Sequence, residues 1–522
     1  MKKSLVAAGV IIALGAVWTG ASWYTGKQLA QQLDGFTDTL NAQLKKSYPD
    51  AGLKIVYRDY QGGIFSSKLS YVLQADGTAK GVQVLAPGEE VVLNETVSHG
   101  PFPLAQVRKF NLVPAMASVH SELANTAAVK ALFELTKDKS FFTAETRVAY
   151  NGDTQSVVTL IPVEFQNNDQ KFVFSGTELL LDIGRDLRSS RLEGTISNLM
   201  SEKKNPWGET EKLVVNDFTL KGNNQKGKFD LDLGDADLSV KSLTFSVEGG
   251  DPVTFNNFSL QTSMTEDDKN LAGKLALALE SMTIAERNLG SGAFNMSISQ
   301  LDGEGAKQFA TAYQQKIQQI LQNPDGMDPD RYQHEIVMTF LQYLPQLLKG
   351  NPNVTVSPIS WKNSKGEGTF TLALDLTDPL QNSAKATDPT ASDEEKIILQ
   401  SVKTLDVKLN VPLAMLAELM IQTGPQPATD EEKKQVADMA QQQVQMMAGI
   451  GQMNQLSVTK DDAITSSLQY ADGQVDFNGN KMSLAEFIAP FIGLPAESGE
   501  ESQPNAQDEN VQDEPVTPPT AQ

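Results

Sequence analysis

Between residues 140 and 305 the chain returns to one six-residue pattern: apolar, any residue, small polar, apolar, Ser or Thr, apolar. It stands as Val215-Asn216-Asp217-Phe218-Thr219-Leu220, and again over Val240–Phe245, Phe255–Leu260 and Leu279–Ile284. Short segments of this kind suit strands with one apolar face, because successive strand side chains point to opposite sides. Phe218 and Phe258 lie 40 residues apart, and Leu243 and Met282 lie 39 apart. A recurrence near that length predicts paired strands added in chain order to one long antiparallel sheet.

The segments around this region follow the same logic. Leu53, Ile55 and Tyr57 alternate, Gly62-Gly63 marks a turn, and Ile64–Leu73 returns as a hairpin partner. Val91–Val97 reads as a strand and Ala115–Leu135 as a helix. Ala306–Gln322 and Arg331–Lys349 carry helical periodicity, separated by the breaker Asn323-Pro324-Asp325-Gly326. Strands resume at Val354–Trp361, Thr369–Leu376 and Val402–Val411. Helices follow over Pro412–Ile421 and Asp430–Met447, and a hairpin turns at Asp472-Gly473.

The N-terminus sets the expected topology. After Lys2 and Lys3, residues Leu5–Tyr24 form an uncharged run of 20 residues, enough for a helix to span about 30 Å of hydrocarbon. The lysines favour a cytoplasmic start, and Trp18, Trp23 and Tyr24 fit an interfacial belt at the far end. A cleaved signal peptide is the competing reading, with Gly20-Ala21-Ser22 at the cleavage point; either way the bulk of the chain is exported. Gly9, Ala13, Ala16 and Gly20 put small residues on one helix face, a candidate contact between two membrane helices. Leu29, Leu33, Phe36, Leu40 and Leu44 then recur at helical spacing, as in a stalk or a helix packed on its own domain.

The expected organisation is an anchor over 1–24, a stalk helix over 25–48, a β-rich region over 49–305 and a mixed helix–strand region over 306–495. An acidic tail over 496–522, rich in Pro and Gln and without Lys or Arg, cannot bury enough surface to fold. The fold class is α+β: an extended, curved antiparallel β-sheet with covering amphipathic helices, preceded by one N-terminal transmembrane helix.

Composition excludes several chemistries. Cys is absent, which removes thiol catalysis, disulfides and Cys-held metals, and three His leave no His-rich metal site. A net charge of −22 disfavours nucleic acid as a partner. His99, in His99-Gly100-Pro101-Phe102-Pro103, reads as a structural turn, and His120 and His334 as ordinary residues of helices. Gly62-Gly63 and Gly290-Ser291-Gly292 read as turns. Asp267-Asp268, Glu394-Glu395 and Asp461-Asp462 are adjacent in sequence, whereas glycosidase carboxylates face each other across a cleft. Asp325–Asp330 lacks the ligand spacing of a calcium loop. No catalytic residue, metal ligand or cofactor is assigned. Met439, Met446 and Met447, on the helix over 430–447, are candidates for an adaptable apolar contact with lipid or a partner; packing of that helix onto the sheet is the alternative.

Met1–Ala7 with Trp18-Thr19-Gly20 and Trp23–Lys27, Gly63–Ser67, Asn94-Glu95 with His99–Gln106, Leu348-Lys349-Gly350, Ser360–Ser364, and Ser466–Gln474 with Gly479 and Lys481–Leu484 stand out as segments. Together they resemble the YdgA-like family of Gram-negative inner-membrane-anchored periplasmic proteins of unknown function. The resemblance runs over residues 1 to about 490 and implies an inner-membrane location, a large periplasmic part and a homodimer. It carries over no catalytic residue. The expected function is a non-enzymatic envelope protein that binds or guides lipid or another apolar ligand along a β-groove. The alternative is a homodimeric scaffold that meets envelope protein partners, and an exported hydrolase is a third class.

Overall fold

The computed structural model describes residues 2–48, 50–80, 84–321, 329–381, 393–424 and 429–492; the side chains of 1–17 and of much of 317–341 lie outside that description. Helix α1 (Lys2–Ser47) leads into β1 (Leu53–Gly62), β2 (Ser66–Ala75) and β3 (Glu90–His99). The single turn α2 (Leu104–Val107) precedes β4 (Ala117–Leu123), and the short α3 (Lys130–Leu135) precedes β5 (Phe142–Val148). Then come β6 (Thr154–Leu160), β7 (Val163–Gln166), β8 (Gln170–Phe174) and β9 (Thr177–Ile183). Six long strands follow: β10 (Ser189–Lys204), β11 (Thr210–Lys226), β12 (Asp232–Val247), β13 (Val253–Glu266), β14 (Asn270–Ile284) and β15 (Arg287–Asp302). A helical hairpin, α4 (Gly303–Leu321) and α5 (Pro329–Leu347), separates them from β16 (Asn353–Asn363) and β17 (Gly366–Leu376). The chain ends through α6 (Asp393–Ser401), β18 (Val402–Pro412), α7 (Leu413–Thr423), α8 (Asp430–Met453), β19 (Val458–Lys460), β20 (Ala463–Ala471), β21 (Gln474–Phe477), β22 (Asn480–Ser483) and α9 (Leu484–Ile492).

All pairings are antiparallel, and most join strands adjacent in sequence. From β1 to β6 each strand pairs with the next. The β7–β8 hairpin is bypassed by a β6–β9 pairing, and the ladder then runs unbroken from β9 to β18. It ends through β20, β21 and β22. The large antiparallel sheet with helices, expected from the alternation, is present.

The six-residue pattern is a register device. Phe218 of β11 lies opposite Val240 of β12, which lies opposite Phe258 of β13, which lies opposite Leu279 of β14. Beside this row Asn198 donates to Asn216 at 2.8 Å, and Asn216 donates to Ser242 at 3.0 Å. Asn256 donates to Ser281 at 3.1 Å. Between the two rows Asp217 and Asn257 take positive φ of 50° and 48°. Asp217 pairs with Lys241 at 3.4 Å, and Asn257 donates to Glu280. Asn and Asp tolerate this left-handed conformation better than other residues with side chains, which explains the small polar residue in these two copies, while Ser242 and Ser281 accept the side-chain hydrogen bonds of Asn216 and Asn256. The apolar positions change parity at this kink, from Leu213 and Val215 to Phe218 and Leu220.

The second half of α1 is not a free stalk. The Trp18 ring lies 5.6 Å from that of Phe65, and Phe36 lies 6.1 Å from Tyr71. Asn41 brackets the edge strand: its amide donates to the Ile55 carbonyl at 2.8 Å and accepts from the Ile55 N–H at 2.8 Å. A side chain thus satisfies backbone groups that an open sheet edge leaves unpaired. Of the two readings of this segment, the helix packed on its own domain holds. Among the described residues no helix is long and apolar enough to cross a membrane. The side chains of Leu5–Val17, most of the expected anchor, lie outside the description, as does the tail over 496–522.

Two local expectations are corrected. Ala115–Leu135 is strand β4 followed by short helical turns, so His120 sits on a strand. The helix formers in this stretch are overruled by pairing with β3 and β5. Gly290-Ser291-Gly292 lies within β15 and is not a turn.

Candidate functional site

Among the described residues three buried hydrophobic clusters form, two where helices meet the sheet and one between helices. Phe229, Leu271, Ala306 and Leu347 gather where α4 and α5 meet the strand ends. Ala417, Ala440 and Val444 join α7 to α8. Tyr470, Val475 and Leu484 close the terminal hairpin under α6 and α9. The long strands between them are organised differently.

On one face of β9–β15 a single cross-strand row reads Leu179, Gly194, Leu220, Leu238, Leu260, Leu277 and Phe294. One residue along each strand, the opposite face reads Glu193, Lys221, Asp237 and Gln261. This is the apolar-in, polar-out alternation of a sheet that buries one face. The inner face is nevertheless incompletely buried: Leu220, Leu238, Leu260, Leu277 and Phe294 all remain partly accessible. The principal helix packing on this part of the sheet is by α4, α5 and α7 against β15. A hollow of about 390 Å³ opens between β12 and β15, lined on its apolar side by Ala236, Met264, Leu275, Met296 and Ile298. Fully burying a Leu or Phe side chain contributes about 1.5–3 kcal/mol. A row left half-covered therefore retains an unspent driving force for covering it with something apolar.

The inner face ends differently at its two sides. Towards the N-terminus the row continues through Val158 and Ala144 to Ser121 and then Glu95, an acid in an apolar file. Glu95 is 6% exposed and accepts a hydrogen bond from Ser121 at 2.6 Å. Burial raises its pKa, partly offset by the Ser121 hydroxyl and by His120. Tyr71 nearby is pushed up to about 12, first by burial and then by Glu95. A carboxyl whose folded pKa is raised supports folding below its ordinary value of 4.5 and loses that support as pH rises through the folded value. Glu95→Gln keeps an acceptor for Ser121 and should raise the melting temperature at pH 7 while changing it little at pH 4. An equal shift at both pH values would show that ionisation is not the cause.

Towards the C-terminus this row continues from Phe294 to the exposed Ile359, whereas the neighbouring row on the same face, through Gly292, is covered. Trp361 of β16 lies over Gly292 of β15, where an added Cβ would sit 3.0 Å from the indole ring. The Trp361 N–H donates to the Leu289 carbonyl at 3.0 Å. Next in the row, a Cβ at Gly368 would sit 3.0 Å from the Met415 methyl of α7. Glycines in a strand interior often mark such close approaches. Gly292 and Trp361 escaped the sequence reading because Gly290-Ser291-Gly292 resembles a turn; two glycines two apart within an alternating strand were the available signal.

His99 belongs to neither feature. It is 2% exposed at the end of β3, with Nε2 2.6 Å from the Ser67 hydroxyl and Nδ1 3.0 Å from the Ile64 carbonyl. Burial lowers its pKa, so the ring is held neutral. It abuts Gly26 of α1, making it a docking element for the helix.

Met439, Met446 and Met447 are not brought to the sheet. Ala440, Val444 and Ala448 form the buried stripe of α8, and the three methionines are 48–60% exposed. Of the small-residue set, Gly9, Ala13 and Ala16 lie outside the described side chains; Gly20 faces open space. Asp267 caps a turn through the backbone N–H groups of Lys269 and Asn270, while Asp268 pairs with Lys228 at 3.3 Å. Asp461 and Asp462 both have positive φ between β19 and β20. The side chains of His334 and Glu394-Glu395 and the loop Asp325-Gly326-Met327-Asp328 lie outside the description. Among the described residues no three His, Cys, Asp or Glu are grouped as metal ligands.

A family model described as a bacterial protein of unknown function (DUF945) matches residues 1–485. Protein YdgA of Escherichia coli strain K12 is 36% identical over 499 residues, covering 95% of this chain and 98% of that protein. The uncharacterized protein YihF of the same strain is 26% identical over 490 residues, covering 92% and 98%. An uncharacterized protein of Haemophilus influenzae is 24% identical over 324 residues, covering 59% and 85%. No solved structure matches.

Proposed function

We propose, from the premise that this chain belongs to the DUF945 family of bacterial proteins of unknown function, that it is a non-enzymatic envelope protein binding lipid acyl chains along its apolar sheet face. In this reading it is anchored in the inner membrane by its N-terminal helix, with the body in the periplasm. The observation that carries the reading is the aliphatic row from Leu179 to Phe294, partly accessible over much of its length. From β9 to β15 there are six inter-strand steps, or about 29 Å at roughly 4.8 Å each. One leaflet of a bilayer core is about 15 Å thick, so an acyl chain fits within that length. The row offers an acyl chain apolar contact and offers a polar ligand no side-chain donor or acceptor.

The test uses the two faces of one strand. A photo-crosslinking residue is placed at Leu277, on the inner face, or at Ala278, exposed on the outer face, in the full chain expressed in Escherichia coli. After irradiation, lipid labelled through radioactive acetate should be attached at Leu277 and absent at Ala278. Equal labelling at both positions, or none at Leu277, would overturn the reading.

A further inference from the structure

Helix α1 marks out one end of the sheet. Its Asn41 lies at Ile55, where β1 begins, and its Trp18 lies at Phe65, in the turn after β1 has ended. Residues 2–17 of the same helix therefore continue past that turn, by about 24 Å at 1.5 Å per residue. In this antiparallel ladder the β1–β2, β3–β4 and β5–β6 connections all fall at that end of the strands. Two of them also touch α1 directly: Thr25 donates to the Gly100 carbonyl at 3.2 Å, and the Tyr150 phenol meets Thr25.

These same connections carry exposed apolar side chains: Ile64, Tyr150 and, in the β3–β4 loop, Phe110, Leu112 and Val113, with Phe110 92% exposed. The loop is a built structure. The Ala115 N–H donates to the Pro101 carbonyl at 3.0 Å, Gln106 donates to Ser118 at 3.0 Å, and Asn111 donates to Gln106 at 2.9 Å. Arg147 donates to the Pro114 carbonyl at 2.9 Å. Polar groups of the loop are thus engaged inward while its large apolar side chains are held outward. Phe110 stands at φ 58°, which a bulky residue adopts only where its surroundings impose it. Arg108 and Lys109 are exposed beside it, and Lys109 reaches Glu145 at 3.7 Å. In a chain of net charge −22, adjacent cations next to an apolar tip suit a surface that is both anionic and hydrocarbon-bearing. The uncharged run Leu5–Tyr24 leaves the body at this end and identifies that surface as a phospholipid bilayer.

Resting on the inner-membrane anchor proposed above, we propose that the β3–β4 loop is a second membrane contact. Phe110, Leu112 and Val113 enter the headgroup layer of the leaflet from which α1 emerges, and Arg108 and Lys109 meet its phosphates. An anchor helix alone leaves the body free to tilt over the membrane. The loop contact fixes that tilt, so the β10–β11 connection, at the opposite strand ends, points away from the bilayer.

The chain has no Cys, so an introduced one is its sole thiol. Leu112→Cys and, as the control, Trp207→Cys in the β10–β11 connection, where Trp207 is 82% exposed, would each carry an NBD fluorophore. Both labelled full-length proteins would be placed in nanodiscs of phosphatidylethanolamine and phosphatidylglycerol. The label at 112 should lose most of its emission to lipid spin-labelled near the headgroup and resist aqueous iodide, and the label at 207 should do the reverse. Adding Phe110→Asp to Leu112→Cys should restore most of the lost emission; no restoration would overturn the insertion of the loop tip. Protein held in the discs with both labels open to iodide would overturn the loop contact and leave the anchor standing. A label at 112 shielded from both quenchers would mean that protein covers the loop, and equal lipid quenching at 112 and 207 would mean that no one end faces the bilayer; either overturns the contact. Failure of the chain to enter the discs would overturn the anchor and the contact together.

Discussion

Leu277→Asp should strip bound lipid from the protein without unfolding it. Leu277 sits within the aliphatic row, flanked by Leu260 on one side and Phe294 on the other. A carboxylate there must stay hydrated, and keeping it so displaces hydrocarbon from that part of the face. Losing contact with about three methylenes at ~0.8 kcal/mol each removes ~2.4 kcal/mol, or roughly 50-fold in affinity. The cost to folding is smaller than in a sealed core, because the site is only partly buried and water can reach it. The comparison is Ala278→Asp, one residue away on the exposed face, which should keep its lipid. Phospholipid and fatty acid extracted from equal amounts of each purified variant would be quantified by mass spectrometry. Equal lipid in the two variants would mean that the inner face is not where lipid is held.

The contrast between these neighbouring residues reflects what was legible in the sequence. Strand alternation is a local signal, so the pattern around Phe218, Val240, Phe258 and Leu279 revealed both the sheet and the order in which strands are added. Its register was not local, yet two copies of the pattern carry a kink, at Asp217 and Asn257, each next to the row through Phe218, Val240 and Phe258. The candidate site was only half legible. The apolar face follows from alternation, whereas the cover over Gly292 comes from Trp361, 69 positions away in sequence, and no spacing rule links the two. Strand β4 was hidden for the same reason: its identity is decided by β3 and β5, against the helix-forming residues around it. The methionines of α8 stand outside the packed stripe, exposed as a contact with lipid or a partner requires. Their spacing is helical, but the stripe that packs is Ala440, Val444 and Ala448. Small residues let α8 approach α7 closely, and the large apolar residues are left outside.

Helix α1 holds the other consequence of distant pairing. Its junction with the sheet rests on Gly26, where an added Cβ would come within 2.3 Å of the His99 ring. His99 cannot yield cheaply, because it is buried and both of its ring nitrogens are engaged, by Ser67 and by Ile64. Beside it Thr25 donates to the Gly100 carbonyl at 3.2 Å, tying the same helical turn to the end of β3. Gly26→Val should therefore force either the ring or the helix to move. Overpacking costs about 1–3 kcal/mol and a buried hydrogen-bonding group left unpaired about 1–3 more. A loss of roughly 3 kcal/mol would make detachment of the helix the cheaper response. Amide exchange in the full chain would then show the segment from Trp18 to Asn41 losing protection well before β10–β15 do. Gly26→Ala should act in the same direction, and its defect should be smaller when His99→Ala is added, since removing the ring makes room for the new methyl group. Uniform loss of protection across the sheet, or no rescue in the double variant, would mean that the contact is not what holds α1 in place. If the helix does peel away while the sheet survives, α1 is a lever docked on the body, and a pull on its N-terminal end is borne first by Trp18 on Phe65 and then by Gly26 on His99.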